Sequence, residues 1–182
     1  MQAKPSRLRI IGGTRRGRIV RFTAAPGLRP TPDRVRETLF NWLGQDLAGR
    51  HTCELYAGSG VLSLEALSRG AASAFAVDSH PAAVRALRDN ASALGLEGLR
   101  TLCADAFAAL ARETGPFDVI FLDPPFAEDP WSRLFDLCAP RLAEGGYIYA
   151  EAGRALCPPP SLALHRHARA GHVHYHLLCR NQ

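Results

Sequence analysis

The chain is predicted to fold as an α/β domain, a seven-stranded, mostly parallel sheet with helices on both faces and a small N-terminal β-hairpin. Three observations predict it. From position 51 onward, short apolar runs alternate with amphipathic stretches of helical period, the pattern of a doubly wound sheet. A Gly-x-Gly turn joins the first of those runs to the first helix. Acids recur where successive runs end, at Glu54, Asp78, Asp105 and Asp123, and ligands of open parallel sheets bind at the carboxyl ends of strands.

The elements follow in order. Positions 7–11 and 18–23 alternate in strand fashion around Gly12-Gly13-Thr14-Arg15-Arg16-Gly17, which predicts a hairpin with Arg15, Arg16 and Arg18 at its tip. Positions 24–30 are a loop. Thr31 is the expected N-cap of a helix with Pro32 at its first position. Val35, Leu39, Trp42 and Leu43 form its apolar face, and Arg36 is expected to point toward the ligand cleft. Strands are expected over 51–56, 73–78, 99–103, 117–122 and 146–151, with helices over 61–69, 80–94, 105–113 and 130–142. After the loop at Cys157-Pro158-Pro159-Pro160, two more strands close the sheet. All 182 residues form one domain, long enough to bury a core, with positions 1–30 as a basic arm and 31–182 as the body.

Composition excludes some classes. No run of about 18 apolar residues predicts a membrane span, and the first residues lack the apolar core of a signal peptide. Five widely spaced cysteines without a Cys-x-x-Cys motif fit a reducing, cytoplasmic setting. Charge is uneven. Residues 1–50 hold 11 of the 22 basic and 3 of the 17 acidic residues, a net +8, against −3 for the remainder. A positive arm on a mildly acidic body suits a phosphate-bearing partner, although a solvated basic tail looks the same. All basic residues but Lys4 are arginines, which grip phosphate bidentately.

Asp123-Pro124-Pro125-Phe126 carries the most chemical information. Two prolines end the strand because neither has an N–H to donate. They also hold the backbone stiffly, so the Asp123 carboxylate and the Pro124 carbonyl can face one ligand. Two fixed acceptors suit an exocyclic amine with two N–H donors, and Phe126 offers a face on which a base can stack. Alone, the motif is equally a strand ending in a stiff turn. Upstream, Tyr56-Ala57-Gly58-Ser59-Gly60 lets the backbone approach a ligand. Ser63 occupies the third position of Gly-x-Gly-x-x-Gly, a departure from the dinucleotide fingerprint that disfavours a nicotinamide oxidoreductase. Asp78, followed by Ser79, can accept both ribose hydroxyls. Asp105-Ala106-Phe107 combines an acid with an aromatic and could hold an adenine ring. His172, His174 and His176 alternate along the last strand, so a zinc site is conceivable. Strand alternation alone produces that pattern, and no Cys or acid is spaced to complete the set, so no metal is expected.

Together these motifs resemble the class I S-adenosylmethionine-dependent methyltransferases that act on exocyclic amines. Arg9-Ile10-Ile11-Gly12-Gly13, Arg16-Gly17-Arg18, the block from Leu28-Arg29-Pro30-Thr31-Pro32-Asp33-Arg34-Val35-Arg36 to Leu43, Ala57-Gly58-Ser59-Gly60 and Asp123-Pro124-Pro125-Phe126 occur in that order. In this the chain resembles the RsmD family of bacterial 16S ribosomal RNA guanine-N2 methyltransferases over nearly its whole length. The resemblance implies a Rossmann-like fold with S-adenosyl-L-methionine as cofactor. Glu54 would lie near the methionine ammonium, where the family usually carries Asp, and Tyr56 to Gly60 would lie under the methionyl chain. Asp78 and Ser79 would hold the ribose, Asp105, Ala106 and Phe107 the adenine, and Asp123 through Phe126 would be catalytic, with Asp123 also in the cofactor site. Arg15, Arg16, Arg18, Arg29, Thr31, Arg34 and Arg36 are the RNA-binding candidates. The implied partner is 16S ribosomal RNA in the 30S subunit, with a monomeric enzyme. An adenine-N6 methyltransferase of RNA or DNA and a non-catalytic ribosome-assembly factor remain alternatives.

Overall fold

The computed structural model describes residues 5–23 and 31–181. Its main sheet has seven strands: β3 (His51–Leu55), β4 (Ser73–Asp78), β5 (Leu99–Cys103), β6 (Phe117–Leu122), β7 (Leu142–Ala152), β8 (Leu162–Ala170) and β9 (Val173–Arg180). Their order across the sheet is β5-β4-β3-β6-β7-β9-β8. β3 through β7 run parallel, and β9 is antiparallel to both its neighbours. A separate two-stranded sheet pairs β1 (Pro5–Arg9) with β2 (Ile19–Thr23). The helices are α1 (Asp33–Leu43), α2 (Val61–Ser68), α3 (Pro81–Leu94), α4 (Ala106–Arg112) and α5 (Trp131–Cys138).

The unbroken apolar run of β6 reflects burial on both faces. Ile120 and Leu122 point to one side, into a cluster with Leu110 of α4 and Leu134 and Phe135 of α5. Val119 and Phe121 point to the other, against Val35, Leu39 and Phe40 of α1 and Leu62 and Ala66 of α2. A third cluster joins Ile10 and Val20 of the hairpin region to Leu64, Leu87 and Leu94, so the arm shares the core. Burying each such side chain stabilises the fold by roughly 1.5–3 kcal/mol.

Three expectations are corrected. The helix expected over 130–142 ends at Cys138 and continues as a 3-10 turn, Ala139–Arg141, because Pro140 has no N–H for the α ladder. The strand expected from 146 begins at Leu142 and jumps register, from Phe117↔Leu142 to Val119↔Tyr147, accommodating Gly145 and Gly146. Thr31 does not cap α1. Pro32 occupies the N-cap without a side-chain bond, and the Thr31 hydroxyl donates instead to Glu151 at 2.8 Å. The loop expected over 24–30, with Arg29, lies outside the described residues.

Candidate active site at the carboxyl ends of the strands

The parallel register pairs Leu55 with Val77 and Leu122, and Asp78 with Cys103. Glu54, Asp78, Asp105 and Asp123 therefore gather at one edge of the sheet. The turn after β3 is tight. Tyr56 has φ 60, unusual for a residue with a Cβ, and Gly58 and Gly60 have φ 52 and 66. Gly60 opens α2, and a Cβ there would lie 2.3 Å from Leu87 Cδ1. Ala57, Gly58, Ser59 and Gly60 are buried and Tyr56 is half-buried. Burial pushes the Tyr56 phenol up to about 12.

The acids brace this turn. Asp78 Oδ2 accepts from the Gly58 N–H at 2.7 Å, and Oδ1 from the His80 N–H at 2.8 Å. Oδ1 also meets His80 Nδ1 at 3.1 Å, and Oδ2 keeps a second lone pair for a ligand hydroxyl. Glu54 Oε2 accepts from the Ser63 N–H at 2.9 Å and from the Ser63 hydroxyl. Burial raises the Glu54 carboxyl to about 7 against the two Ser63 bonds. A cationic ammonium beside it would reverse that shift. Asp105 caps α4, with Oδ1 accepting from the Phe107 and Ala108 N–H groups at 2.9 and 3.0 Å, and both Asp105 and Ser79 are exposed. Ala106 is buried, and the half-buried Phe107 ring lies 4.1 Å from the Arg133 guanidinium. A buried, glycine-built turn flanked by acids fits an adenosyl group bearing an ammonium and a ribose.

At the end of β6, Asp123 is half-buried, Pro124 buried and Pro125 exposed. Phe126 is 51% exposed, high for a large apolar ring. It stands at a cavity of about 280 Å³ lined by Pro124, Pro125, Phe126, Trp131, Gly153 and Arg154, at the small end of ligand pockets. The Asp123 carboxyl is raised well above the usual range, by burial first and then by the charges of Glu151 and Glu54. Glu151, which sequence reasoning missed, is buried on β7 and accepts from the Thr31 and Tyr149 hydroxyls at 2.8 Å each. No local signal marks it, since only the pairing of β6 with β7 brings it to the site.

The arginines separate into two groups. Arg16, Arg18 and Arg34 are exposed. Arg36 is fully buried and does not reach the cleft. Its guanidinium donates to Glu65 and Asp33, at 2.6 Å each, and to the Arg9 and Thr31 carbonyls. Arg15 donates to the carbonyls of Leu94 and Gly95 at the C-terminal end of α3, where a cation offsets the helix dipole. Thr31 is buried and spent on Glu151. Arg36 and Thr31 are buried and Arg15 is committed to the end of α3, so of the described residues expected to bind RNA, Arg16, Arg18 and Arg34 are the exposed ones.

His172 lies in the turn before β9, off the expected face. His167, from β8, joins His174 and His176 instead, with a ligating atom of each within 4.8 Å of the others. His176 is already satisfied. Nδ1 meets the Ala150 carbonyl and Nε2 accepts from the Leu156 N–H, at 3.1 Å each. Burial holds it neutral, near 4.

The sheet order, the glycine turn and the acids at the strand ends define a class I methyltransferase. The family model described as Conserved hypothetical protein 95 matches residues 8–179. The chain is 39% identical over 178 residues to ribosomal RNA small subunit methyltransferase D of Escherichia coli, covering 95% of this chain and 90% of that protein. It is 33% identical to the protein of that name from Haemophilus influenzae, covering 93% and 92%. The solved structure of yhhF from Escherichia coli superposes with a TM-score of 0.85 at 39% identity, covering 96% of this chain and 98% of that one. The chain belongs to this family, that of ribosomal RNA small subunit methyltransferase D, and is a methyltransferase. No helix among the described residues is long and apolar enough to cross a membrane.

Proposed function

We propose that this protein transfers a methyl group from S-adenosyl-L-methionine to the exocyclic N2 amine of a guanine in 16S ribosomal RNA, acting as a cytoplasmic monomer on assembled or partly assembled 30S subunits. The observation that carries the reading is the Asp123-Pro124-Pro125-Phe126 turn. It ends the strand beside the glycine turn and presents a half-exposed ring at the mouth of a cavity of about 280 Å³. The relatives' names specify small-subunit ribosomal RNA, and the exposed Arg16, Arg18 and Arg34 supply phosphate contacts.

Bound at the β3 turn, with Glu54 at the ammonium, Asp78 and Ser79 at the ribose and Asp105 to Phe107 at the adenine, S-adenosylmethionine supplies an already activated methyl group. The protein's work is therefore orientation. Guanine N2 is a poor nucleophile because its lone pair is delocalised into the ring. Asp123 and the Pro124 carbonyl accept its two N–H bonds, turn the lone pair toward the methyl group and stabilise the positive charge that develops. Phe126 stacks on the base, which must leave its own stack to enter.

The test is transfer of labelled methyl to unmodified 30S particles, naked 16S RNA and duplex DNA, followed by digestion to nucleosides. N2-methylguanosine from the RNA substrates is expected. Label in adenine or DNA overturns the substrate assignment, and cofactor binding without any transfer favours an assembly factor. Asp123→Ala is expected to lower turnover by about 10²-fold or more while cofactor affinity holds. Undiminished turnover removes Asp123 from the chemistry.

A further inference from the structure

Methylating the amine leaves nitrogen with one proton too many. The nitrogen lone pair forms the new N–C bond, the C–S pair returns to sulfur as a neutral thioether, and one N–H proton must depart. In the proposed function Asp123 is the acid in contact with that nitrogen. Glu151 is placed to act on it. The parallel register aligns Leu122 of β6 with Ala150 of β7, so the following residues, Asp123 and Glu151, come level on neighbouring strand ends. Glu151 is 4% exposed. Two hydroxyls, Thr31 Oγ1 from the start of α1 and Tyr149 from its own strand, converge on the same oxygen, Oε1, at 2.8 Å each. Burial raises the Glu151 carboxyl above its ordinary value, and the two O–H donors on one oxygen offset part of that rise and fix the direction in which the group points.

The charged and titratable groups around the pair point the same way. On β3, Glu54 adds a further acid facing Asp123. On β9, Tyr175 pairs with Glu151 in register, and the neighbouring His176 is held neutral by burial. Among the described residues no arginine or lysine pairs with Asp123 or Glu151, and Arg154, three residues on, is bound to Asp129 at 2.9 Å.

We propose that Glu151 is a positioning residue of the methyl transfer: oriented by Thr31 and Tyr149 and set level with Asp123, it makes the Asp123 carboxylate the group that takes the proton from the newly methylated amine. The proton passes from nitrogen to Asp123 and from there to water when product leaves. The electrostatics agree with this role, since burial and the Glu151 charge hold the Asp123 carboxyl well above its ordinary range, and a base whose affinity for protons lies nearer neutrality removes a proton more effectively. This rests on the reading of Asp123 as the acceptor of the amine.

The experiment compares Glu151→Gln, Tyr149→Phe and Asp123→Asn with the parent, using pH profiles of single-turnover methyl transfer to 30S particles, calorimetric cofactor affinity and thermal melting. Glu151→Gln is expected to move the acid limb of the rate profile to lower pH and to reduce the plateau about tenfold or more, with cofactor affinity within about threefold. Tyr149→Phe removes one donor from Glu151, so the proton moves to Glu151 and the limb shifts in the same direction by less. It serves as the test should Glu151→Gln fail to fold. An unshifted limb in whichever of the two folds overturns the proposal, as does a rate loss matched by an equal loss of cofactor affinity. A fully active Asp123→Asn overturns the underlying reading of Asp123 instead, and so separates the two failures.

Discussion

Glu65 sits where the arm meets the body, and its replacement tests how the two are held. The side chain is fully buried, as is that of its partner Arg36 at 2.6 Å. It also accepts from the Ile11 N–H at 2.6 Å and the Gly12 N–H at 3.2 Å. Glu65→Gln keeps the shape and one acceptor but leaves the Arg36 charge without its buried counterion. Stripping one partner from a buried pair costs about 3–5 kcal/mol. Asp33, half-exposed at 2.6 Å from Arg36, retains part of the interaction, which places the loss near the lower figure. A chain of this size shifts by about 2–4 °C per kcal/mol, so the melting temperature is expected to fall by about 6–12 °C. The exposed Arg154–Asp129 pair is the control. Breaking it removes about 0–1 kcal/mol, a shift under about 4 °C. Thermal melting measures both, and hydrogen exchange should show the backbone of residues 5–23 losing protection first in Glu65→Gln. A melting temperature within about 2 °C of the parent, with an unchanged arm, refutes the view that this cluster fastens the arm.

Cofactor affinity is expected to rise with pH up to about 7 and then level, because the Glu54 carboxyl is raised from 4.5 to about 7 and an ammonium requires its ionised form. The limiting slope is about tenfold per pH unit. Glu54→Gln should abolish the dependence in calorimetry, and its survival there would assign the titration elsewhere. The same group makes the free protein less stable as pH rises from 4.5 toward 7, since the folded carboxyl keeps a proton that the unfolded one releases. Replacing both Arg16 and Arg18 with Glu should weaken RNA binding and flatten its dependence on salt, while melting stays near the parent because both side chains are exposed. Gly60→Ala forces a Cβ to 2.3 Å from Leu87 Cδ1 at φ 66, and is expected to cost about 1–3 kcal/mol and to weaken cofactor binding.

The sheet was legible because its central strands are buried on both faces and therefore read as continuous apolar runs, as 117–122 does. The acids were legible for a related reason, since Asp78 and Asp123 close such runs directly and Glu54 and Asp105 lie within two residues of a strand end. Pairings distant in sequence left no local trace. Arg36 lies in an arginine-rich block and looks like a phosphate ligand until Glu65, 29 residues on, is seen to hold it. Glu151 looks like the end of a strand until Thr31, 120 residues before it, is found donating to it. The same holds for His167, which only the register His167↔His176 brings to its neighbours. Charged side chains carry no mark of their partner, whereas apolar side chains advertise burial by their spacing.

The arm is fastened to the body at several points. Glu65 holds the Ile11 and Gly12 backbone, Arg15 grips the end of α3, and the Asn90 amide bonds both the N–H and the carbonyl of Arg21. A lever attached so broadly cannot swing. In the proposed function the exposed arginines and the catalytic turn therefore act as the two jaws of a fixed gauge. The guanine that is modified must stand at one set span from the phosphates the arm holds, and span is a property of folded RNA that base sequence by itself does not supply.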